Sequence, residues 1–428
     1  MTATVLFVGL VALLAFGVPV AFAIGMSTLG AMLVQGLPLV AITQKMLTGI
    51  DSFPLMAMPF FLLAAELMTG GALADVLLRL AAMIVGHRRG GLGYTNVLAL
   101  TFFSGISGSA LADAAGPGAV LIRMMRKSGY PAEYAAALTA STAVVGPIIP
   151  PSIIMIIYAL QDPNVSVLGL FWAGVIPGLM ISASLLAYNF WASRRRNFRS
   201  DGEPATFALA VRTTVRALPA LALPVLIVGG IQSGAFTPTE ASVIAVFYAL
   251  LAGKFVYGTL QWRMLPAILA RSALMTAAVL LIVTMSSAFA WVLTVVQVPQ
   301  SLSTWVGTLG LGPLGFLLVV NILLLAFGIF IEPLPGVLVL VPILAPMAAA
   351  LGIDPLHFAI VVIVNLTLGM VTPPVGSLLF VTAMVAKIPP TALNRELWPM
   401  LGLQIGVLAL ITLIPQVSLF LPQLVSGR

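Results

Sequence analysis

The chain has 428 residues, of which 61% are hydrophobic and only 7% are charged, and its formal net charge is +7. Soluble domains carry about 25% charged residues, so this composition excludes an ordinary soluble protein. It predicts an all-α polytopic membrane protein whose helices cross the lipid bilayer with roughly 20 residues each. The positive residues lie in short loops, where they set the orientation, and nucleic acid is not expected as a partner.

Seven apolar segments are predicted to span the membrane. In chain order they lie at about 3–35, 53–70, 167–192, 217–233, 238–256, 273–292 and 399–421. The first contains Gly17, Val18 and Pro19, which favour two short helices joined at a hinge. The polar stretch from about 193 to 216 is predicted to be a loop.

Two further segments, 71–86 and 293–312, are amphipathic. In the first, apolar residues recur at helical spacing opposite Asp75 and Arg79. The pattern suits helices that lie in the plane of the membrane interface, and it equally suits ordinary connecting helices.

The four remaining apolar segments are interrupted. Segments 91–127 and 313–350 are broken by glycine, serine and proline. Each is followed by a span that contains a proline pair, at about 130–160 and 355–386. A proline pair removes backbone donors and clashes with the preceding turn, so these two spans are predicted to be broken helices.

The two proline-pair motifs are versions of one pattern. They read GPIIPP at 146–151 and GMVTPP at 369–374, and they are 223 positions apart. The same offset pairs Gly105 with Gly328, which indicates an internal repeat. Matching breaks in two repeats are the sequence feature that points to the binding site of a secondary transporter.

Basic residues indicate the orientation of the interrupted segments. They flank segment 91–127 on both sides, so both of its ends are expected in the cytoplasm and the segment is predicted to be a re-entrant hairpin. Segment 313–350 has no lysine or arginine at either end, which favours two external ends. The chain is therefore predicted to consist of two inverted repeats, 1–215 and 216–428, each with one hairpin and one broken helix.

The turn of the first hairpin and the first break are rich in hydroxyl and carbonyl oxygens, which are ligands for a small hard cation such as Na⁺. We predict a first sodium site formed by Ser104, Ser107, Ser109, Gly146, Ile149 and Pro150. The alternative is that these small residues serve only close packing of membrane helices. The adjacent proline-pair break favours the ion site.

The second half offers fewer hydroxyls, and its hairpin turn contributes backbone oxygens and one carboxylate. A second sodium site is predicted from Gly328, Glu332, Gly369, Thr372 and Pro373. The substrate is expected near the membrane midplane between the two hairpin turns, at Ser107, Asp113, Thr142, Asn365, Thr372, Gly376 and Ser377.

Two acidic residues, Asp113 and Glu332, lie at membrane depth in the sequence, where a carboxylate is costly and suggests a function. For Asp113, ion coupling or hairpin positioning competes with a role as N-terminal cap of the hairpin's return helix, and both interpretations stay open. An intramembrane enzyme that uses the two acids is less favoured, because the repeat offset sets Asp113 opposite Gly336. With no cysteine and two distant histidines, no cofactor and no transition metal are expected.

The motifs together resemble the large membrane subunit of tripartite ATP-independent periplasmic (TRAP) transporters. The first half carries SGISGSALAD at 104–113, AAALT at 135–139 and GPIIPPS at 146–152. The second half carries GIDPLHF at 352–358 and TPPVG at 372–376. The resemblance covers nearly the whole chain, and the motifs in combination are highly specific.

The resemblance implies an elevator-type transporter in the bacterial inner membrane, driven by a Na⁺ gradient. It further implies a small four-helix membrane subunit and an extracytoplasmic binding protein that delivers an organic acid. The family usually has aspartate where Glu332 stands, and often asparagine where this chain has Leu378. A stand-alone ion-coupled carboxylate carrier of related architecture is the alternative, and such a carrier would need no binding protein.

Overall fold

The computed structural model describes residues 2–69, 73–198, 206–308, 310 and 312–426 of the chain. The first half contains α1 (Thr2–Ala15), α2 (Val20–Gln35), α3 (Val40–Ile50), α4 (Ala57–Thr69), α5 (Leu73–Val85), α6 (Gly91–Ser107), α7 (Ala110–Ala115), α8 (Pro117–Lys127), α9 (Ala132–Ala143), α10 (Ile153–Gln161) and α11 (Val167–Arg195). The second half contains α12 (Phe207–Gln232), α13 (Pro238–Leu251), α14 (Leu265–Val295), α15 (Val298–Thr308), α16 (Pro313–Gly328), α17 (Pro333–Ala350), α18 (Pro355–Gly369), α19 (Ser377–Ala386), α20 (Asn394–Leu413) and α21 (Gln416–Ser426).

Six of the helices in the described ranges are long and apolar enough to cross a membrane. They are α11, α12, α13 with its π-helical extension, α14, α17 and α20. The pair α3 and α4 is a candidate seventh span, bent by 63° at the break between the two helices. The prediction of an all-α polytopic membrane protein is thereby confirmed.

The structure corrects two predicted boundaries and adds one helix that was not predicted. The span at 399–421 is two helices, α20 and α21, because Pro415 has no amide to continue the first of them. The polar stretch at 193–216 is helical at both ends, since arginine side chains at a helix end extend readily to water. Helix α3 was not predicted, because Gln44 and Lys45 interrupt its apolar run. The predicted hinge in the first segment is confirmed, with Gly17 at a φ of 78° between α1 and α2.

Each interrupted segment forms a helical hairpin. In the first, α6 leads to a turn at Gly108 and Ser109, and α7 and α8 return. In the second, α16 leads to a turn over residues 329–332, and α17 returns. The arms of each hairpin pack against each other. A glycine with positive φ follows each hairpin, Gly129 at 86° and Gly352 at 72°, and the two are related by the repeat offset.

Each proline-pair span is a broken helix. The chain is unwound over 144–152 between α9 and α10, and over 370–376 between α18 and α19. Both proline pairs lie in these unwound segments, and both proline–proline peptide bonds are cis. The structure therefore interrupts both helices where the sequence predicts it.

The two halves pack against each other reciprocally. Helix α9 packs on α6 of its own hairpin, whereas α10 packs on α17 of the other hairpin. In the same way, α18 packs on α16, and α19 packs on α7 and α8. Arg126 of α8 donates to the carbonyl oxygen of Ala386 at the end of α19, at 2.8 Å, where the helix dipole favours a cation. Each broken helix thus joins its own hairpin to the other one.

The hairpins and broken helices form one helix group. Helices α1 to α4, α13 and α14 form another, which we call the second helix group. Helix α4 packs on α13 and α14, and α2 and α3 pack on α14. Arg271 Nε and Glu66 Oε2 form an ion pair at 3.0 Å between α14 and α4. The amphipathic α5 exposes Asp75 and Arg79 and packs on α6, and α15 packs on α17. In chain order, α5 connects α4 to the first hairpin, and α15 connects α14 to the second hairpin.

Candidate functional site

The first hairpin turn lies directly against the first helix break. A Cβ at Gly146 would lie 2.6 Å from Asp113 Oδ2 and 3.1 Å from the carbonyl carbon of Ser109. A Cβ at Gly108, which has a φ of 59°, would lie 2.8 Å from the carbonyl oxygen of Pro151. Glycine at these two positions lets the backbones of the turn and the break touch. Pro150 also lies at the contact, since its carbonyl oxygen is 3.5 Å from a Cβ at Gly105.

A buried carboxylate sits at this contact. Asp113 is 0% exposed, and its Oδ1 accepts a hydrogen bond from the hydroxyl of Ser107. Its Oδ2 has no hydrogen-bond partner in the described part of the chain. The cap of the return helix is Ser109, whose Oγ accepts from Ala112 N at 3.4 Å, so Asp113 is not the capping residue. A buried, unpaired carboxylate oxygen beside a helix break is a candidate ligand for a cation.

The helices and the break that form this contact also carry neutral oxygens. Ser104 and Thr142 are buried, and their hydroxyls donate to carbonyls of their own helices, to Thr101 O at 2.6 Å and Leu138 O at 2.7 Å. Each hydroxyl oxygen keeps lone pairs for another partner. Within the described ranges, the carbonyl oxygens of Gly146, Ile149 and Pro150 accept no hydrogen bond. The contact thus offers one carboxylate and several neutral oxygens, which is the donor set of a hard cation.

The second hairpin also touches its own helix break through glycine. A Cβ at Gly328 would lie 3.1 Å from the Cα of Gly369, so the two backbones are in contact. Thr372 is half-buried, and its hydroxyl donates to Leu368 O at 2.8 Å. Pro373 is half-buried beside it, whereas Glu332 at the hairpin turn is exposed. Gly328 and Gly369 are therefore brought together, and the carboxylate is more open to its surroundings than Asp113.

A cavity of 650 Å³ opens beside the second hairpin turn. Its polar lining residues are Glu332 and Ser377, and the rest of the lining is largely apolar, with Phe22 from α2 and Ile282 from α14. Of the residues predicted for the substrate region, Ser377 lines this cavity. Gly376 is buried next to it and packs against the carbonyl oxygen of Met370. The cavity therefore lies between the second hairpin and the second helix group.

The other predicted substrate residues are buried away from this cavity. Asn365 is 0% exposed and donates to Asn321 Oδ1 at 2.5 Å, and Asn321 donates in turn to Thr412 Oγ1 at 2.9 Å. Ser107 and Asp113 belong to the first contact instead, and Thr142 is buried on α9, four positions before Gly146. Asn321 and Thr412 were not singled out from the sequence. The only signal was a polar residue in an apolar helix, which does not reveal its partner.

The comparison with protein families decides the identity of the chain. Residues 7–417 match the family described as the DctM component of the tripartite ATP-independent periplasmic transporter. The chain belongs to this family. The resemblance that the sequence motifs carried is thereby confirmed over nearly the full length, and the chain is a large permease subunit of a TRAP transporter, not an enzyme.

Curated relatives match the DctM-family permease over almost their whole length. The sialic acid TRAP transporter large permease of Vibrio cholerae is 40% identical over 98% of both chains. The C4-dicarboxylate TRAP transporter large permease of Rhodobacter capsulatus is 38% identical over 100% of both. The 2,3-diketo-L-gulonate TRAP transporter large permease of Escherichia coli is 36% identical over 94% of both.

Solved structures share the fold of the permease at low sequence identity. The YdaH transporter of Alcanivorax borkumensis has a TM-score of 0.64 at 15% identity, with 90% of each chain covered. MtrF of Neisseria gonorrhoeae has a TM-score of 0.52 at 15% identity, with 88% of this chain and 84% of that one covered. At 15% sequence identity, the structural similarity is evidence for the fold only.

Proposed function

We propose that this permease subunit imports an organic acid together with Na⁺. The observation that carries the proposal is the contact between the first hairpin turn and the first helix break. There, the Oδ2 of buried Asp113 lies against Gly146 and has no hydrogen-bond partner among the described residues. Within the same ranges, the carbonyl oxygens of Gly146, Ile149 and Pro150 accept no hydrogen bond. A cation bound there offsets the cost of the buried carboxylate, so occupancy fixes the hairpin turn against the broken helix.

The substrate class follows from the relatives and from the cavity. The named relatives carry sialic acid, C4-dicarboxylates and 2,3-diketo-L-gulonate, which are all organic acids. The charged residue in the lining of the 650 Å³ cavity is Glu332. An anion that enters beside a carboxylate needs a compensating positive charge, because like charges repel strongly away from water. A sodium ion at the second predicted site supplies that charge, which couples substrate binding to sodium binding.

The two helix groups support an elevator mechanism. The two hairpins and broken helices pack reciprocally into one body, and α4, α13 and α14 pack into another. In the proposed cycle, the first body carries sodium and substrate past the second, and the two halves act as inverted repeats. The amphipathic α5 and α15 then lie where the moving body joins the fixed one.

The proposal includes two partners that are typical of TRAP transporters. A small four-helix membrane subunit packs on the second helix group, and an extracytoplasmic binding protein delivers the acid. Exposed apolar residues on α13 and α14, such as Phe247 and Leu274, are available to lipid or to such a subunit. The corresponding location is the bacterial inner membrane, with several spans.

Sodium binding is tested by the thermal stability of the purified full-length chain. Sodium chloride is titrated at constant ionic strength against potassium chloride or choline chloride. We expect a saturable rise in melting temperature that is specific to sodium, because a ligand of the folded state adds RT ln(1 + [L]/Kd) to stability. An identical response to potassium and sodium would contradict sodium coupling and turn attention to proton coupling through Asp113 and Glu332.

The need for a binding protein separates the proposal from a stand-alone carboxylate carrier. The permease is reconstituted in liposomes with its small subunit under an inward sodium gradient, and uptake of radiolabelled acids is measured with and without the candidate binding protein. We expect uptake only when the binding protein is present, with the same liposomes in potassium as the control. Uptake at full rate without the binding protein would favour the stand-alone carrier.

A further inference from the structure

A buried glutamine on α20 contacts the first broken helix. Gln404 is 0% exposed, and its Nε2 donates to the main-chain oxygen of Ser141 at 2.7 Å. Ser141 lies in the last turn of α9, five positions before Gly146. A glutamine buried among apolar helices is costly unless it is hydrogen-bonded, so the position of this amide calls for an explanation.

The hydrogen bond falls on a carbonyl that the helix break releases. In a continuous α-helix, the carbonyl of Ser141 would accept from the amide of Val145, four residues later. Instead, Val145 N donates to Thr142 O at 3.0 Å, and Gly146 N donates to Ala143 O at 3.0 Å. The end of α9 is therefore tightened to bonds of the 3₁₀ type. Gln404 supplies the partner that the carbonyl of Ser141 has lost.

The contact is not built for stability alone. Gln404 Oε1 and Ser141 Oγ are both buried, and neither has a hydrogen-bond partner in the part of the chain that the structure describes. Unsatisfied buried polar atoms are destabilising, and each of them in a native structure needs a reason. A methionine in place of Gln404 would fill the same space without an unpaired oxygen. The amide is therefore best explained by what it does to the carbonyl of Ser141.

Helix α20 also reaches the second half of the chain. Thr412, about two turns after Gln404, accepts the hydrogen bond from Asn321 of the second hairpin. Asn321 accepts in turn from Asn365 of the second broken helix. One helix thus forms hydrogen bonds to the first broken helix and, through Asn321, to the second.

We infer that Gln404 is a positioning residue for the cation site at the first helix break. Its amide holds the carbonyl of Ser141, which keeps the end of α9 on the unwound path that presents Gly146 to the hairpin turn. Gln404 acts through Ser141 and does not contact the ion. The inference rests on the proposed sodium coupling and extends it to a residue outside both hairpins and both broken helices.

The test is the sodium titration of melting temperature on full-length Gln404→Met, which keeps the volume and removes the amide. We expect the half-saturating sodium concentration to rise about tenfold, because the end of α9 regains its helical hydrogen bond and withdraws Gly146 from the turn. The control is Thr28→Val, which removes a buried hydroxyl that donates to Ile24 O at 2.7 Å within α2. It should leave the half-saturating concentration unchanged.

Gln404→Asn serves as a second variant, because it keeps an amide that is one methylene too short to reach Ser141. It should also weaken the sodium response. If Gln404→Met does not fold, Gln404→Asn is compared with the wild type and with Thr28→Val in its place. An unchanged half-saturating concentration in the folded variants overturns the inference and leaves sodium coupling intact. An equal shift in Thr28→Val also overturns it, since the cause would then be a general loss of stability. If the melting temperature of the wild-type chain shows no sodium-specific rise, the proposed cation site is wrong, and the inference about Gln404 fails with it.

Discussion

Replacing Gly146 by valine is expected to abolish the sodium-specific rise in melting temperature and to stop sodium-driven uptake. A Cβ at this position would lie 2.6 Å from Asp113 Oδ2, 3.1 Å from the carbonyl carbon of Ser109 and 3.2 Å from the amide nitrogen of Ala110. Two of these atoms belong to the backbone of the hairpin turn and cannot rotate away. The carboxylate of Asp113 must therefore move away, and the turn backbone must shift by a few tenths of an ångström for the Cβ alone. The two methyl groups of valine enlarge both displacements, so we expect the ligands of the proposed site to be lost.

The loss of sodium affinity distinguishes a displaced ion site from a simple packing defect, which lowers only stability. Overpacking a core costs typically 1–3 kcal/mol, which lowers the melting temperature but leaves ligand affinity alone when the ligand lies elsewhere. A variant that displaces the ligands themselves loses at least about tenfold in sodium affinity, since each 1.4 kcal/mol is a factor of ten. The measurement is the half-saturating sodium concentration in thermal melts, together with uptake in liposomes.

Gly402→Ala is the matched control for the glycine substitution. Gly402 lies within α20, and apart from its own stretch of that helix no atom of the described residues lies within 4 Å of a Cβ built there. Alanine is the better helix former by about 1 kcal/mol, so this variant should be as stable as the wild type or more stable, with unchanged sodium response. If Gly146→Val responded to sodium as the wild type does, the ions would bind elsewhere and the proposed first site would be wrong.

Much of the fold could be predicted because glycine and proline act locally. The proline pairs end their helices by removing backbone donors, whatever packs around them. The repeat offset likewise predicted that Gly105 and Gly328 stand at corresponding places, and each lies against its own helix break. The first candidate site was predictable for the same reason, since its oxygens belong to a turn and a break that are both visible in the sequence.

The remaining features depend on contacts between distant parts of the chain. Gln404 and Ser141 are 263 positions apart, and nothing in the local sequence of α20 identifies the partner. The cavity beside Glu332 is lined on one side by residues of α2 and α14, which belong to neither hairpin. The sequence therefore predicted a single substrate region between the hairpin turns. The structure instead places Ser107 and Asp113 at a buried contact, Ser377 at an open cavity, and Asn365 in a hydrogen bond with Asn321.

Replacing Asp113 by asparagine is expected to abolish the sodium-specific rise in melting temperature without lowering the stability of the chain. Asparagine Oδ1 can still accept the hydrogen bond from Ser107, so the hairpin turn keeps its shape. The variant loses a carboxyl group that is 0% exposed and whose Oδ2 has no hydrogen-bond partner among the described residues. Burying this carboxyl group without a cation costs free energy, either as an unpaired charge or through the proton that it must take up, so the variant should melt at the same or a higher temperature in potassium chloride. Its sodium-specific rise should disappear, because the cation no longer gains a carboxylate.

A second aspartate provides the control for this substitution. Asp354 caps α18, where its Oδ1 accepts from Leu356 N at 2.9 Å and His357 N at 3.1 Å. Asparagine caps helices about as well as aspartate, so Asp354→Asn should change neither the melting temperature nor the sodium response appreciably. If Asp113→Asn kept the full sodium response, the carboxylate would serve only to order the hairpin turn. If both variants lost it, the loss would reflect general electrostatics rather than a ligand at the break. Only a loss confined to Asp113→Asn assigns the charge of Asp113 to the cation, and this pattern is the one that the geometry favours.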